Sequence, residues 1–291
     1  MKSGFVAIVG RPNVGKSTLL NTILGQKVAI TSPTPQTTRS QVRGILNRTG
    51  SDGEPIQIVF VDTPGIHKPR SPIGPRLNAA AGSALNDVDV ACVMVDATAP
   101  IGPGDKFVAA KAPAGSVLIV NKIDAADEAD TFAQLQKGSA LGVEFADYFP
   151  VSAKTGRGVD ALVDFLLAKM PEGPPYYPEE GGATDTPASF WVAELVREQL
   201  LAYLREEIPH SIATQVTEWE WPRIRVEILV ERDSQKGIVI GKKGSVLKAV
   251  GTEVRKQLPE GAFLELQVKV DKDWQRHDPT LDKLGYGGPP D

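Results

Sequence analysis

Between Gly4 and about Met170, short unbroken apolar runs alternate with stretches whose apolar residues return at helical spacing. FVAIV, IQIVFVD, VDVACVMVDA, SVLIVNK and YFPVSA show almost no polar alternation. Strands buried on both faces of a mostly parallel sheet read this way, because neither face meets water. Lys16–Leu24, Gly74–Leu85 and Val159–Lys169 are the helix candidates between them. The alternation predicts an open α/β sheet with helices on both faces over residues 1–170.

The pattern changes after Met170. Residues 171–187, PEGPPYYPEEGGATDTP, can neither propagate a helix nor sit in a central strand, and predict an interdomain linker. A smaller α+β domain is expected over 188–291. Phe190, Ala193, Val196, Leu200, Leu201 and Leu204 mark an amphipathic helix, with Glu194, Glu198, Glu206 and Glu207 giving it an acidic polar face. Strands are predicted at Ile212–Glu218 and Ile224–Glu231, then a helix from near Ser234, a glycine turn, a helix over Ser245–Leu258 and a strand at Phe263–Val270. The order is αββααβ. The tail LGYGGPPD is expected to fray.

Composition narrows the class. Hydrophobic residues at 41% and charged residues at 23% suit a globular protein. One cysteine, Cys92, excludes an internal disulfide and any cysteine-based zinc site; inside VDVACVMVD it reads as a small core residue. The N-terminus lacks a signal-peptide pattern, and no stretch reaches the roughly 18 apolar residues that cross a bilayer. These features predict a reducing, cytoplasmic setting. His67, His210 and His277 are too scattered to suggest a metal or hydrolase site. The net charge of −4 argues against a protein coated in basic surface, yet Arg232–Lys256 holds seven Lys/Arg against two Asp/Glu. A local basic patch on an acidic chain points to one nucleic-acid face.

The chemistry concentrates at strand ends. Gly10-Arg11-Pro12-Asn13-Val14-Gly15-Lys16-Ser17, followed by Thr18, fits the phosphate-loop pattern GxxxxGK[ST] between a strand and a helix. Glycines let backbone N–H groups converge on phosphate oxygens, and the following helix aims its positive end at them. Lys16 reaches the β- and γ-phosphates, and the Ser17 hydroxyl coordinates Mg²⁺. Asp62-Thr63-Pro64-Gly65 ends IQIVFVD. Its carboxylate belongs at the Mg²⁺, directly or through water, and Gly65 offers a backbone N–H to the γ-phosphate. Asn121-Lys122-Ile123-Asp124 closes SVLIV. There Asp124 can accept two hydrogen bonds from guanine; adenine lacks that donor pair and would leave the carboxylate unpaired. Ser152-Ala153-Lys154 supplies a backbone N–H for the guanine O6. Together these motifs select GTP and GDP.

GRPNVGKSTLLN, VAITSPTPQTTRSQVRGI, FVDTPGIHKP, NKID and VSAKTGRGVDAL resemble the Era family of GTPases, and the likeness runs on through LVERDSQKGIVIGKKG to KLGY. The resemblance implies a P-loop NTPase fold, a Ras-like G domain, followed by a type II KH domain. It makes Thr38 the switch I residue that binds Mg²⁺ and the γ-phosphate, with Thr37 an adjacent competitor. Ile66 occupies the position where Ras-like switches carry a water-positioning glutamine, so slow intrinsic hydrolysis is expected. Relatives with a hydrophobic residue there, and an asparagine in the place of Asn13, use a potassium ion near the phosphates. Asn13 is therefore the expected K⁺ ligand, aided by switch I carbonyls. The resemblance further implies binding to the 3′ end of 16S ribosomal RNA during small ribosomal subunit maturation, and a monomer that in some members sits peripherally at the inner face of the cell membrane.

Gly241-Lys242-Lys243-Gly244, between two helix candidates, reads as the GxxG loop of a KH domain, which clamps the backbone of about four unpaired nucleotides. Lys236 and Lys248 extend the basic patch, with Arg255 and Lys256 beyond them. Ile238, Val239 and Ile240 are expected to form an apolar wall for bases.

Overall fold

The structure, a computed structural model, describes residues 1–50, 53–69, 71–206 and 208–287. It divides into two compact units. The first comprises Met1–Thr31 and Thr38–Asp185 together with Gly287; the second comprises Ser32–Thr37 and Thr186–Tyr286.

The first unit is built on a six-stranded sheet. Its strands are β1 (Lys2–Gly10), β2 (Val42–Thr49), β3 (Pro55–Asp62), β4 (Val90–Asp96), β5 (Val117–Asn121) and β6 (Asp147–Val151), in the order β2-β3-β1-β4-β5-β6. All neighbours are parallel except the β2–β3 pair. The helices are α1 (Lys16–Leu24), α2 (Gly74–Ser83), α3 (Pro103–Ala109), α4 (Glu128–Ser139) and α5 (Val159–Lys169). One core, including Ile8, Leu20, Phe60, Met94, Ile119 and Leu162, fills one side of the sheet; a second, including Val9, Val93, Val120, Val108 and Leu141, fills the other. Cys92 is buried in the first core, where desolvation pushes its thiol up to about 12.

Much of the segment expected to be a linker is instead strapped to this unit. Ser3 N–H donates to the Pro171 carbonyl at 2.9 Å, and the side chain of buried Gln57 bonds the backbone at Tyr176 and Tyr177. Further along, Ile45 N–H donates to the Ala183 carbonyl at 2.8 Å, and Arg43 pairs with Asp185 at 3.0 Å. The physical reason is β2, an edge strand whose outward N–H groups need partners; a proline-rich chain supplies carbonyls without adding a strand.

The second unit holds α6 (Ala188–Tyr203), α7 (Ile208–Ser211), β7 (Ala213–Glu220), β8 (Arg223–Val230), α8 (Asp233–Ile240), α9 (Ser245–Arg255), β9 (Phe263–Val270) and α10 (Asp278–Lys283). Its sheet runs β7-β8-β9, with β7–β8 antiparallel and β8–β9 parallel. Alternate residues of β8, Ile224, Val226, Ile228 and Val230, face the core. Helix α6 packs on β7 and α9.

Two expectations need correction here. Glu194 and Glu198 do not form an exposed acidic face, since each is only 9% exposed, and Glu194 pairs with the buried Arg197 at 2.5 Å. Glu207 lies outside the described residues. The start of the tail does not fray either: Leu284 and Tyr286 are buried, and Tyr286 packs 6.0 Å from Trp274, ring centre to ring centre. The last four residues, 288–291, lie outside the described residues.

Candidate nucleotide site and nucleic-acid face

The loop after β1 takes its shape from two residues in left-handed conformations, Asn13 at φ 63° and Gly15 at φ 105°. A Cβ at Gly15 would sit 2.2 Å from the Asn121 amide nitrogen, so the close approach of these loops requires glycine. Asn121 Nδ2 donates to the Val14 carbonyl at 2.8 Å, and its Oδ1 accepts from Ala153 N–H at 2.8 Å. One amide thus ties the loops at Val14, Asn121 and Ala153 together. Thr22 Oγ1 also donates to the Ala153 carbonyl, and the backbone of Thr18 is the other acceptor for that hydroxyl.

Lys16 opens α1 and is 6% exposed, with Nζ donating to the Arg11 carbonyl at 3.2 Å and the Gly10 carbonyl at 3.4 Å. Burial lowers its pKa against the opposing pull of Asp62. The loop therefore holds a buried ammonium beside the N-terminus of a helix, an arrangement that favours an anion.

Ser17, Thr38 and Asp62 converge although 45 residues separate the first from the last. Ser17 Oγ donates to Asp62 Oδ2 at 2.6 Å and lies 2.9 Å from Thr38 Oγ1, which donates to the same carboxylate oxygen at 3.3 Å. Thr37, in contrast, spends its hydroxyl on the Thr34 carbonyl at 2.7 Å. Asp62 is wholly buried, and its Oδ1 accepts no hydrogen bond among the described residues. Burial raises its pKa in spite of Lys16, Ser17, Thr38 and Thr63. Two hydroxyls and an under-satisfied buried carboxylate form a hard oxygen set of the kind that suits Mg²⁺.

Beyond Asp62, Thr63 Oγ1 donates to the Ile8 carbonyl at 2.9 Å and Ile66 N–H to the Gly10 carbonyl at 3.0 Å. Pro64 lies between them and is buried. A Cβ on Gly65 would sit 2.7 Å from Pro12 N, so this turn presses on the phosphate loop. The Ile66 side chain is fully buried among Ala7, Val9 and Val93, packed in the sheet core.

At the base-side loops, Ser152 Oγ donates to Asp124 Oδ1 at 2.6 Å, holding one carboxylate oxygen, and Lys154 is exposed. Lys122 adopts φ 70° and its Nζ meets Asp96 Oδ2 at 2.5 Å. Asp96 was missed in the sequence. Half of the signal was present, since Asp96 ends an apolar strand just as Asp62 does; its place beside Asn121 in the register was not. A second missed residue is Asp105, 2% exposed, which accepts from Arg11 Nε at 2.8 Å and fastens the phosphate loop to α3.

In the second unit, α8 and α9 flank Gly241–Gly244. Gly241 (φ 74°), Lys243 (φ 52°) and Gly244 (φ 78°) are left-handed, which makes the loop a tight turn that exposes Lys242 and Lys243. Lys248 is exposed on α9, and Lys236 is half-buried on α8. The expected apolar wall is corrected: Val239 is 0% exposed and belongs to the core, Ile240 is half-buried, and Ile238, at 53% exposed, is the residue a base could meet. Helical spacing explains this, because three consecutive residues cannot share one face.

Comparison with known proteins agrees with this layout. Residues 5–122 match the family described as 50S ribosome-binding GTPase, and residues 207–275 match the KH domain family. GTPase Era of Mycolicibacterium smegmatis is 45% identical over 98% of this chain and 99% of its own. GTPase Era of Streptomyces coelicolor is 46% identical, covering 98% of this chain and 95% of that one. Two solved structures each superpose with a TM-score of 0.90 at 38% identity, covering 98% of this chain and 99% of the other: an Aquifex aeolicus Era variant bound to GDP·AlF4⁻, and Era in complex with MgGDPNP and nucleotides 1506–1542 of 16S ribosomal RNA. With its GTPase and KH domains in the same order over nearly the whole length, this chain belongs to the Era family of GTPases.

Proposed function

We propose that the chain binds and hydrolyses GTP, and that its KH domain binds single-stranded RNA at the 3′ end of 16S ribosomal RNA during maturation of the small ribosomal subunit. The observation that carries the nucleotide half is the meeting of Ser17, Thr38 and Asp62 beside the buried Lys16. The RNA half rests on the exposed GKKG turn and on the solved relative that carries a 16S fragment. The family model's description names the large subunit, but it covers residues 5–122 only; the solved relative matches nearly the full length and is the better guide.

Each residue's task follows from its position. Backbone N–H groups of Asn13–Thr18 receive the phosphates, and Lys16 places its ammonium between the β- and γ-phosphates. Ser17 and Thr38 hydroxyls, with Asp62 directly or through water, would hold Mg²⁺, which would supply charge neutralisation at the phosphate oxygens. Gly65 N–H faces the γ-phosphate. Asp124, with Ser152 on one oxygen, takes the guanine N–H donors, Ala153 N–H takes O6, and Asn121 fixes both loops. The Lys122 stem, steadied by Asp96, lies over the purine. Ile66 is turned into the core and cannot orient water, so hydrolysis without a further aid is slow. Asn13 is the K⁺ ligand in this reading: an ion there would offset charge developing between the β- and γ-phosphates.

Lys242 and Lys243 meet the RNA backbone, the glycines permit close approach, and Ile238 with part of Ile240 faces the bases. We place the activity in the cytoplasm. No helix among the described residues is long and apolar enough to cross a membrane, and α6, buried along most of its length, is not free to lie on a membrane surface. The test is GTP turnover and binding of a short RNA matching the 3′ end of 16S. Turnover lost in Lys16→Ala, with RNA binding lost in the Lys242→Asp/Lys243→Asp double variant, supports the reading; retention of either defeats that half.

A further inference from the structure

Helix α2 takes hydrogen bonds from the Gly65 side of the site and from the Thr38 side, and every residue concerned belongs to the first unit. Asn78 Nδ2 donates to the His67 carbonyl at 2.6 Å, and its Oδ1 accepts from His67 N–H at 3.2 Å. One side chain thus grips both peptide planes that flank His67. The peptide before them is held as well, because Ile66 N–H donates to the Gly10 carbonyl at 3.0 Å. The three peptide units from Gly65 to Lys68 are therefore all held. On the other side, Gln41, three residues past Thr38, donates Nε2 to the Ala80 carbonyl at 3.0 Å.

The helix itself needs neither contact. It is seated by Ile73, Leu77, Ala80 and Ala81, which are buried, and Ala81 shares a core with Ile66. Asparagine is a weaker helix former than the alanines that follow it, because its amide competes for backbone groups; here those groups belong to a loop, not to α2. The Ala80 carbonyl already accepts from Ala84 N–H at 3.2 Å and from Ser83 Oγ at 2.9 Å. The Gln41 bond therefore supplies nothing that the helix end lacks. Gly65, in contrast, has no side chain to fix its own conformation and depends on what holds its neighbours.

We propose that α2 is the brace for GTP hydrolysis, with Asn78 and Gln41 as positioning residues: Asn78 holds the turn that carries Gly65 N–H, and Gln41 holds the chain leaving Thr38. The proposal rests on Gly65 and Thr38 meeting the γ-phosphate, as in the proposed function. A donor already in place need not reorganise when charge develops on the phosphate, so loosening its backbone costs rate. Each residue acts through the backbone that it holds.

The test exploits a difference between nucleotides. GDP lacks the γ-phosphate, so a fault in these two segments spares it and weakens GDPNP and GTP. Asn78→Ala, Asn78→Asp and Gln41→Ala are made in the full chain and compared with Thr38→Ala. Alanine is the better helix former, so Asn78→Ala should fold with α2 intact. Affinities for Mg·GDP and Mg·GDPNP, the kcat for GTP, and amide hydrogen exchange over residues 62–67 in the GDPNP complex are measured. The expected result is unchanged GDP affinity, with the GDPNP-to-GDP affinity ratio and the kcat each lowered roughly tenfold by Asn78→Ala. Asn78→Asp should cost at least as much, since its added oxygen opposes the His67 carbonyl, and Gln41→Ala about threefold for its single bond. Exchange over residues 62–67 should quicken in Asn78→Ala. Three results overturn the proposal. The Asn78 variants or Gln41→Ala could leave ratio and kcat unchanged while Thr38→Ala lowers both. They could weaken GDP and GDPNP equally, as loss of a merely structural contact would. Or kcat could fall in Asn78→Ala with no quickening of exchange. If Thr38→Ala itself leaves the ratio intact, the γ-phosphate reading fails first, and that outcome is separately visible.

Discussion

Asp96 and Lys122 stand at the tips of neighbouring parallel strands with their charged atoms 2.5 Å apart, and Thr98 braces the same carboxylate from its hydroxyl at 2.6 Å. Burial works against the Asp96 charge, but Lys122 and Thr98 outweigh it and hold the pKa below the usual carboxylate value. The clamp therefore weakens as the pH falls through the lowered pKa of Asp96, below the ordinary carboxylate range. Asp96→Asn should release the lysine stem from the purine and speed GDP dissociation about three- to tenfold, as expected when one charge-assisted bond is removed. Stopped-flow release of a fluorescent GDP checks this; an unchanged rate would mean Lys122 needs no brace.

Asp62 behaves in the opposite direction. Burial raises its pKa, so without Mg²⁺ the folded protein binds this proton more tightly than the unfolded chain does. Stability of the nucleotide-free protein should then fall as pH rises from about 4 through the folded pKa, since the native state must give up a proton it holds well. Mg²⁺ favours the ionised form, so its affinity should rise over the same interval. Titrating Mg²⁺ into the GDP complex at two pH values tests the sign, and Asp62→Asn should abolish the dependence.

Ile66→Gln should fail to create a Ras-like catalytic residue. The side chain is buried in the sheet core, where an amide without partners costs about 1–3 kcal/mol. The expected outcome is a lower melting temperature and no gain in kcat. A faster enzyme would show that this turn can swing toward the phosphates.

Potassium should accelerate hydrolysis relative to sodium at equal ionic strength, and Asn13→Ala should remove the difference while leaving GDP affinity largely intact. Equal rates in the two salts would remove the cation from the mechanism.

Reversing Lys242 and Lys243 to Asp should weaken binding of short single-stranded RNA by at least tenfold. It should also flatten the log–log salt dependence by about 0.7 for each RNA phosphate that is no longer neutralised. GTP affinity should not move. If the salt slope stays the same, the turn does not touch the backbone.

How much of this was legible depends on whether the signal was local. The phosphate loop was readable because Gly10, Gly15, Lys16 and Ser17 must be close in sequence to surround one anion. Strand β2 went unread: VRGILNRT mixes glycine and polar residues because it lies at an antiparallel edge. Helix α4 was also unread, since EADTFAQLQKGS has few apolar residues to mark a period. Asp96 was hidden for another reason, as its partner is set by strand register rather than spacing. Glu194 was misplaced because α6 is covered on more sides than a simple amphipathic reading allows, and Val239 because three consecutive residues of α8 cannot share one face. Which of Thr37 and Thr38 turns its hydroxyl toward Ser17 and Asp62 needed coordinates, because neighbouring threonines differ only in where the chain points them.

Asp124, proposed to read the purine, offers the most direct test of the whole account. Affinities of the Mg²⁺-loaded protein for GDP and ADP should be measured before and after Asp124→Asn. A strong preference for GDP that collapses in the variant is the predicted result. No preference to begin with, or one that survives the substitution, would contradict it.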